Sequence, residues 1–210
     1  MKVADEAELL DLQSKLEEKF VDLGKDETGN DAATPTAKVE LKSVLKGSLD
    51  LTLTEQPSDP QELLSACEAS IRKMLSMIQE ESSVVCKFKE EGRRRLQTAR
   101  DLEYTVTMPL TEDVDTYLAL EAAQAAEAKL EEQADAGWTE LASKMEDEGV
   151  VATVEGPAPE QNVEVKVLLQ AEVPDVMETT TALNTRVSAG ARSAVAETLS
   201  LDESAIAVVD

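Results

Sequence analysis

The chain has 210 residues, with 20 Lys+Arg against 44 Asp+Glu and a formal charge of -24 at pH 7. That sign excludes nucleic acid as a ready partner, because neutralising phosphates takes cations. There is no histidine, which removes the commonest general base, the commonest zinc ligand and every Ser/His or Cys/His pair; with 42% hydrophobic but only 2% aromatic residues, the core must be aliphatic and alanine-rich.

Residues 4–23 read as an amphipathic helix. Asp5 and Glu8 stand as a capping pair, and Leu9, Leu12, Leu16, Phe20 and Leu23 recur at helical spacing up to Gly24. Residues 24–36 have turn and linker composition and are expected to form a flexible boundary. The opening MKVADEAELLDLQ is acidic where a signal peptide is basic, and no apolar run approaches membrane-spanning length. As written, the chain therefore reads as soluble and unexported, cytoplasmic by default, and extracellular if it belongs to a longer secreted protein.

From Ser48 the chain alternates, with Leu49, Leu51 and Leu53 on one side and Asp50, Thr52 and Thr54 on the other, the period of a half-buried strand. Pro57 and Pro60 stop it and open a helix to about Met77 or Ile78, with Leu64, Cys67, Ile71, Met74 and Ile78 on its apolar face. Ser83 to Phe88 alternates again, with Val84, Cys86 and Phe88 on one side. A coiled coil continuing through Leu102 would place Glu81, Gly92 and Arg95 in its seam, so two strands are expected, the second with Leu102, Tyr104, Val106 and Met108 inward and Pro109 closing it.

An alanine-rich helical stretch follows from Thr111 or Glu112 to about Glu148, broken near Gly137, with Val114, Leu118, Leu130, Trp138, Leu141 and Met145 as core contacts and Gly149 as cap. Val150, Ala152 and Val154 mark a fourth strand. The order strand, helix, strand, strand, helix, strand, with one apolar row in each strand, predicts an α+β fold with a ferredoxin-like βαββαβ sheet covered by helices on one face.

Beyond the linker 156–162 the pattern restarts, with Val163, Val165, Val167 and Leu169 alternating, a helix over about 183–199 and a last strand 205–209. Ser65-Ala66 and Ser188-Ala189 lie 123 apart, and Glu81-Ser82 and Glu203-Ser204 lie 122 apart, the trace expected of a duplicated module. The expected organisation is an N-terminal helix and linker over 1–36, a complete module over 37–157, and a half module (βαβ) over 158–210.

The string Gly92-Arg93-Arg94-Arg95-Leu96-Gln97, then Leu102-Glu103-Tyr104-Thr105-Val106-Thr107-Met108-Pro109, with Ser82-Ser83-Val84-Val85 before it and Glu148-Gly149-Val150 after the helix, resembles a SEA-like, ferredoxin-like module found in tandem in large multidomain algal proteins. The resemblance covers about 45–157 and, truncated, 162–210. It implies a surface, adhesive or spacer role without known catalysis. Self-cleaving SEA domains break at a Gly-Ser bond beside a valine run, and Ser82 stands in place of that glycine before Ser83, so the resemblance does not extend to self-cleavage.

The local charge anomaly is the segment 87–100, where Lys87, Lys89, Arg93, Arg94, Arg95 and Arg100 face only Glu90 and Glu91. Arginines bind carboxylate and phosphate bidentately, which makes this a candidate patch for an anion or an acidic partner. Residues 111–148 hold 12 acids against Lys129 and Lys144, so intramolecular or neighbouring-module partners are abundant. Glu112-Asp113 with Asp115, and Glu146-Asp147-Glu148, have oxygen ligands for calcium but no EF-hand spacing, and read as solvated helix ends. The expected exposed strand face, Asp50, Thr52, Glu103, Thr105 and Thr153, lacks the aromatics that stack on bases. Cys67 and Cys86 fit no disulfide framework or zinc spacing and read as small buried hydrophobes.

No catalytic, cofactor or metal residues are named, and the expected function is a non-catalytic structural or interaction module, not an enzyme. Its partners would be proteins, through self-association or neighbouring modules at unpaired edges of strands 163–170 and 205–209, unless the N-terminal helix covers them. The alternative is a helical adaptor in which 59–104 and 112–148 form a two-helix arm.

Overall fold

The computed structural model describes residues 6–28, 35–55, 59–89, 99–111, 115–170 and 180–199. The expected strand 205–209, Val114 and Arg93 to Arg95 lie outside them. The elements are α1 (Glu6–Thr28), β1 (Thr36–Leu53), α2 (Pro60–Met74), β2 (Ser83–Phe88), β3 (Ala99–Pro109), α3 (Thr116–Asp135), α4 (Thr139–Asp147), β4 (Ala152–Glu155), β5 (Glu160–Gln170) and α5 (Thr180–Leu199). The class is α+β, with an antiparallel sheet ordered β2-β3-β1-β4 and β5 also pairing β1.

The chain forms two compact units, Met1–Leu41 with Val165–Asp210, and Lys42–Glu164. The division falls inside β1 and β5.

In the unit Lys42–Glu164, β3 lies between β2 and β1, with Val84 opposite Val106 on one side and Leu45 opposite Val106 on the other. The buried row is Leu45, Leu49, Leu51 and Leu53 of β1, Leu102, Tyr104, Val106 and Met108 of β3, Val84 and Cys86 of β2, and Val154 of β4. Helices α2, α3 and α4 pack with these strands and with one another. α2 starts where Asp59 Oδ1 accepts the Gln61 N–H at 2.8 Å, and Pro60 takes the first helical position, where its missing N–H costs nothing. Its buried face is Leu63, Ala66, Cys67, Ser70, Ile71 and Met74, which includes the expected Cys67, Ile71 and Met74, while Leu64 is only half-buried and gives its place to Leu63. The helix ends at Met74, short of Ile78.

The expected break near Gly137 is present. Gly137 and Trp138 both take left-handed conformations (φ 71° and 56°), and the Trp138 N–H bonds back to the Gln133 carbonyl at 2.7 Å, so α3 closes and α4 starts in a new direction. Leu118, expected in the core, is 54% exposed. The buried stripe of α3 is Ala119, Ala123, Ala126, Leu130 and Gln133, with Leu120 beside it, and its alanines carry too little hydrophobicity to announce the face.

In the unit Met1–Leu41 with Val165–Asp210, α1 buries Leu9, Leu12, Leu16 and Phe20 and packs with α5, where Val195 and Ala196 are buried. Lys19 and Glu197 form an ion pair at 2.5 Å between the two helices. α1 continues past Gly24 to Thr28. Within this unit Glu40 of β1, 8% exposed, pairs with Lys166 of β5 at 2.9 Å.

Three further expectations change. β1 begins at Thr36, twelve residues before Ser48, because Val39 to Leu45 buries both faces and shows no alternation. The two-helix arm over 59–104 is not formed, since Ser83–Phe88 and Ala99–Pro109 are paired strands. Cys67 and Cys86 are not independent hydrophobes: they form a disulfide between α2 and β2, with Cα atoms 6.4 Å apart.

Candidate functional site

The basic segment is built on the β2–β3 hairpin. Alternation places Lys87 on the exposed row of β2, directly opposite Glu103 of β3. The Lys89 N–H donates to the Asp101 carbonyl at 3.0 Å, which extends the ladder one residue beyond β2. Arg100 sits on β3 opposite Leu51, half-buried, with its guanidinium donating to the Ala99 carbonyl at 3.3 Å. The structure thus brings Lys87, Lys89 and Arg100 to one end of the hairpin. They stand among acids there: Glu103 faces Lys87, and Asp101 lies in register with Asp50, itself in register with Glu155. Acids interleaved with Lys87, Lys89 and Arg100 weaken the attraction of these three for anions.

Of the acidic clusters, Glu112 and Asp113 lie outside the described residues, and Asp115 and Glu148 are engaged in helix structure. Asp115 Oδ1 accepts the Leu118 N–H at 3.2 Å as the cap of α3. Glu148, at the end of α4, bonds Lys73 of α2 and holds the Lys73 ammonium above its ordinary range. Lys129 of α3 is raised in the same way by Glu140 at 2.9 Å and by Glu132. Among the described residues no three His, Cys, Asp or Glu side chains converge so as to hold a metal ion, and no helix is long and apolar enough to cross a membrane.

Two arrangements were missed by sequence reasoning. The first is a buried aromatic pair. Tyr104 meets Trp138 edge to face, centroids 6.0 Å apart at 72°, and the Trp138 indole N–H donates to the Gly156 carbonyl at 2.8 Å. The Tyr104 hydroxyl has no partner among the described residues, and burial pushes its pKa far up, so it remains a neutral phenol and is no proton acceptor near neutral pH.

The second is the treatment of the strand edges. Within one unit, the Val39 N–H donates to Glu17 Oε1 at 3.2 Å, and Gln13 Nε2 donates to the Val39 carbonyl at 3.0 Å, so two α1 side chains take the place of a neighbouring strand. Within the other, the Cys86 N–H of β2 donates to Glu68 Oε1 of α2 at 3.0 Å, and Arg72 Nη2 donates to the Ser82 carbonyl. Both are side-chain covers for backbone that would otherwise template pairing with another chain. β5, which contains the strand expected over 163–170, pairs with β1 along one edge. The signal for the disulfide was present: Cys67 falls on the apolar face of one element and Cys86 on the apolar row of the next.

No family model, no curated protein and no solved structure matches the chain.

Proposed function

We propose that the chain is a non-catalytic structural and interaction module of the ferredoxin-like, SEA-like kind, serving as a surface or spacer unit in an oxidising compartment. The observation that carries this reading is the Cys67–Cys86 bond, which ties a helix to the end strand of the sheet. Such bonds persist outside the reducing cytosol. The βαββαβ reading is supported by the order of β1, α2, β2, β3, the α3–α4 pair and β4, and by their antiparallel ladder β2-β3-β1-β4.

The other features suit a spacer. A charge of -24 keeps neighbouring copies apart at low salt. The exposed row of the sheet is largely polar, carrying Lys46, Asp50, Thr52, Lys87, Glu103 and Thr153 with Val85 among them. The partners it suits are proteins, either neighbouring modules or a second copy once salt screens that charge, docking through polar surface.

The test has two arms. Alkylation of the denatured, unreduced protein should add no label, and reduction should then expose two thiols; two labels without reduction would remove the compartment argument. A panel of phosphoester, peptide and glycoside substrates should show no turnover above blank, and turnover that survives repurification would overturn the non-catalytic reading.

A further inference from the structure

Helix α2 holds the outer edge of β2 at three points. The register Ser83 to Thr107 and the bond from the Lys89 N–H to the Asp101 carbonyl turn the odd positions of β2 toward β3. Cys86 is at an even position, and its N–H points the other way, to Glu68 Oε1. The Ser82 carbonyl, on the same side, receives Arg72. The third tie is covalent, from Cys86 Sγ to Cys67 Sγ. Residues 67, 68 and 72 of one helix therefore act on Cys86 of β2 and on Ser82, the residue just before that strand.

We propose that Cys67–Cys86 is a redox-sensitive latch that sets whether α2 stays on the outer edge of β2. A dithiol reductant would open it by thiolate attack on one sulfur, giving a mixed disulfide and releasing the other cysteine as a thiolate that takes up a proton. The second thiol of the reductant then displaces the remaining cysteine. In total Cys67 and Cys86 gain two electrons and two protons, and the dithiol is oxidised to its own disulfide. The relative exposures of Cys67 and Cys86 are 0% and 3%, so attack waits for α2 and β2 to part. Reduction is gated by the opening it then makes easier. With the bond open, the edge is held by the Glu68 carboxylate and the Arg72 guanidinium, weak contacts at partly exposed positions, beside the packing of the buried face of α2 on β2.

Hydrogen exchange on the intact chain tests this, with Cys86 as the reporting amide and Leu130 of α3 as reference. Reduction by dithiothreitol should speed exchange at Cys86 at least about tenfold more than at Leu130, which follows only the general destabilisation of the unit, the pattern of a local opening added to a global effect. The paired Cys67→Ser and Cys86→Ser variant should do the same without reductant; if it does not fold, the wild-type comparison decides alone. Arg72→Ala should speed native-state reduction several-fold and leave the rate in denaturant unchanged. Unchanged exchange at Cys86 overturns the latch, and so does equal acceleration at Leu130, which would make the bond a general staple. The proposal depends on the bond and not on the spacer reading: free thiols in the purified protein would defeat both, whereas an intact bond with unchanged exchange defeats only the latch.

Discussion

Tyr104 lies across Gly47, its cross-strand neighbour on β1, so closely that a methyl group on Gly47 would overlap the phenol ring at Cζ and Oη. The glycine is there for space, on the buried row between Leu45 and Leu49. Gly47→Ala should therefore cost about 1–3 kcal/mol through overpacking, read as a lower urea midpoint with unchanged slope. Tyr104→Phe should do the reverse, because it removes a buried hydroxyl without a partner, and should raise stability by up to about 1 kcal/mol. A loss of stability in Tyr104→Phe would mean that the hydroxyl is satisfied after all.

The same burial gives a pH dependence. Tyr104 is held above its ordinary value of 10.0 by desolvation of the phenolate. The proton is bound more tightly in the folded state, so this contribution is complete below about pH 10 and is lost as pH rises beyond the unfolded value. Subtracting the 295 nm titration of Tyr104→Phe from that of wild type should leave no phenolate signal while the fold persists, and one tyrosine's worth in urea. A native difference signal with a midpoint near 10 would show the ring to be solvated.

The Cys67–Cys86 bond spans 19 residues, and a loop of that length constrains the unfolded chain by about 3 kcal/mol. Reduction, or Cys67→Ser with Cys86→Ser, should lower the stability of the Lys42–Glu164 unit by that amount in chemical denaturation. Trp138 is the single tryptophan and is fully buried there, so its emission follows this unit. Equal midpoints with and without reductant would contradict the estimate.

Val106 faces Val84 on one side and Leu45 on the other and has no exposed surface. Val106→Asp places an unpaired charge between three strands and should abolish the cooperative transition, since such burial costs several kcal/mol. A melting curve matching wild type would put Val106 on the surface.

Much of the strand pattern was legible because half-buried strands advertise themselves by alternation: Leu49 to Leu53, Val84 to Phe88 and Leu102 to Met108 each showed one apolar row. Val39 to Leu45 did not, because both faces are covered, and period two vanishes when Glu40 and Ser43 are buried beside Val44 and Leu45. The stripe of α3 was hidden for a related reason, its contacts being alanines. Of the expected basic patch, Lys87, Lys89 and Arg100 fall among the described residues, and Glu103 opposite Lys87 shows what composition alone hides: register decides which charge a charge meets. The edge covers by Gln13, Glu17, Glu68 and Arg72 were not legible, because a polar residue that caps a strand reads in sequence like any solvated one.

The covalent tie between α2 and β2 also protects the chain's continuity. A protease cut anywhere between Cys67 and Cys86, for instance beside the exposed Met77, leaves two pieces still joined through sulfur. Nicked molecules would keep their mass, apart from one added water, until a reductant parts the fragments.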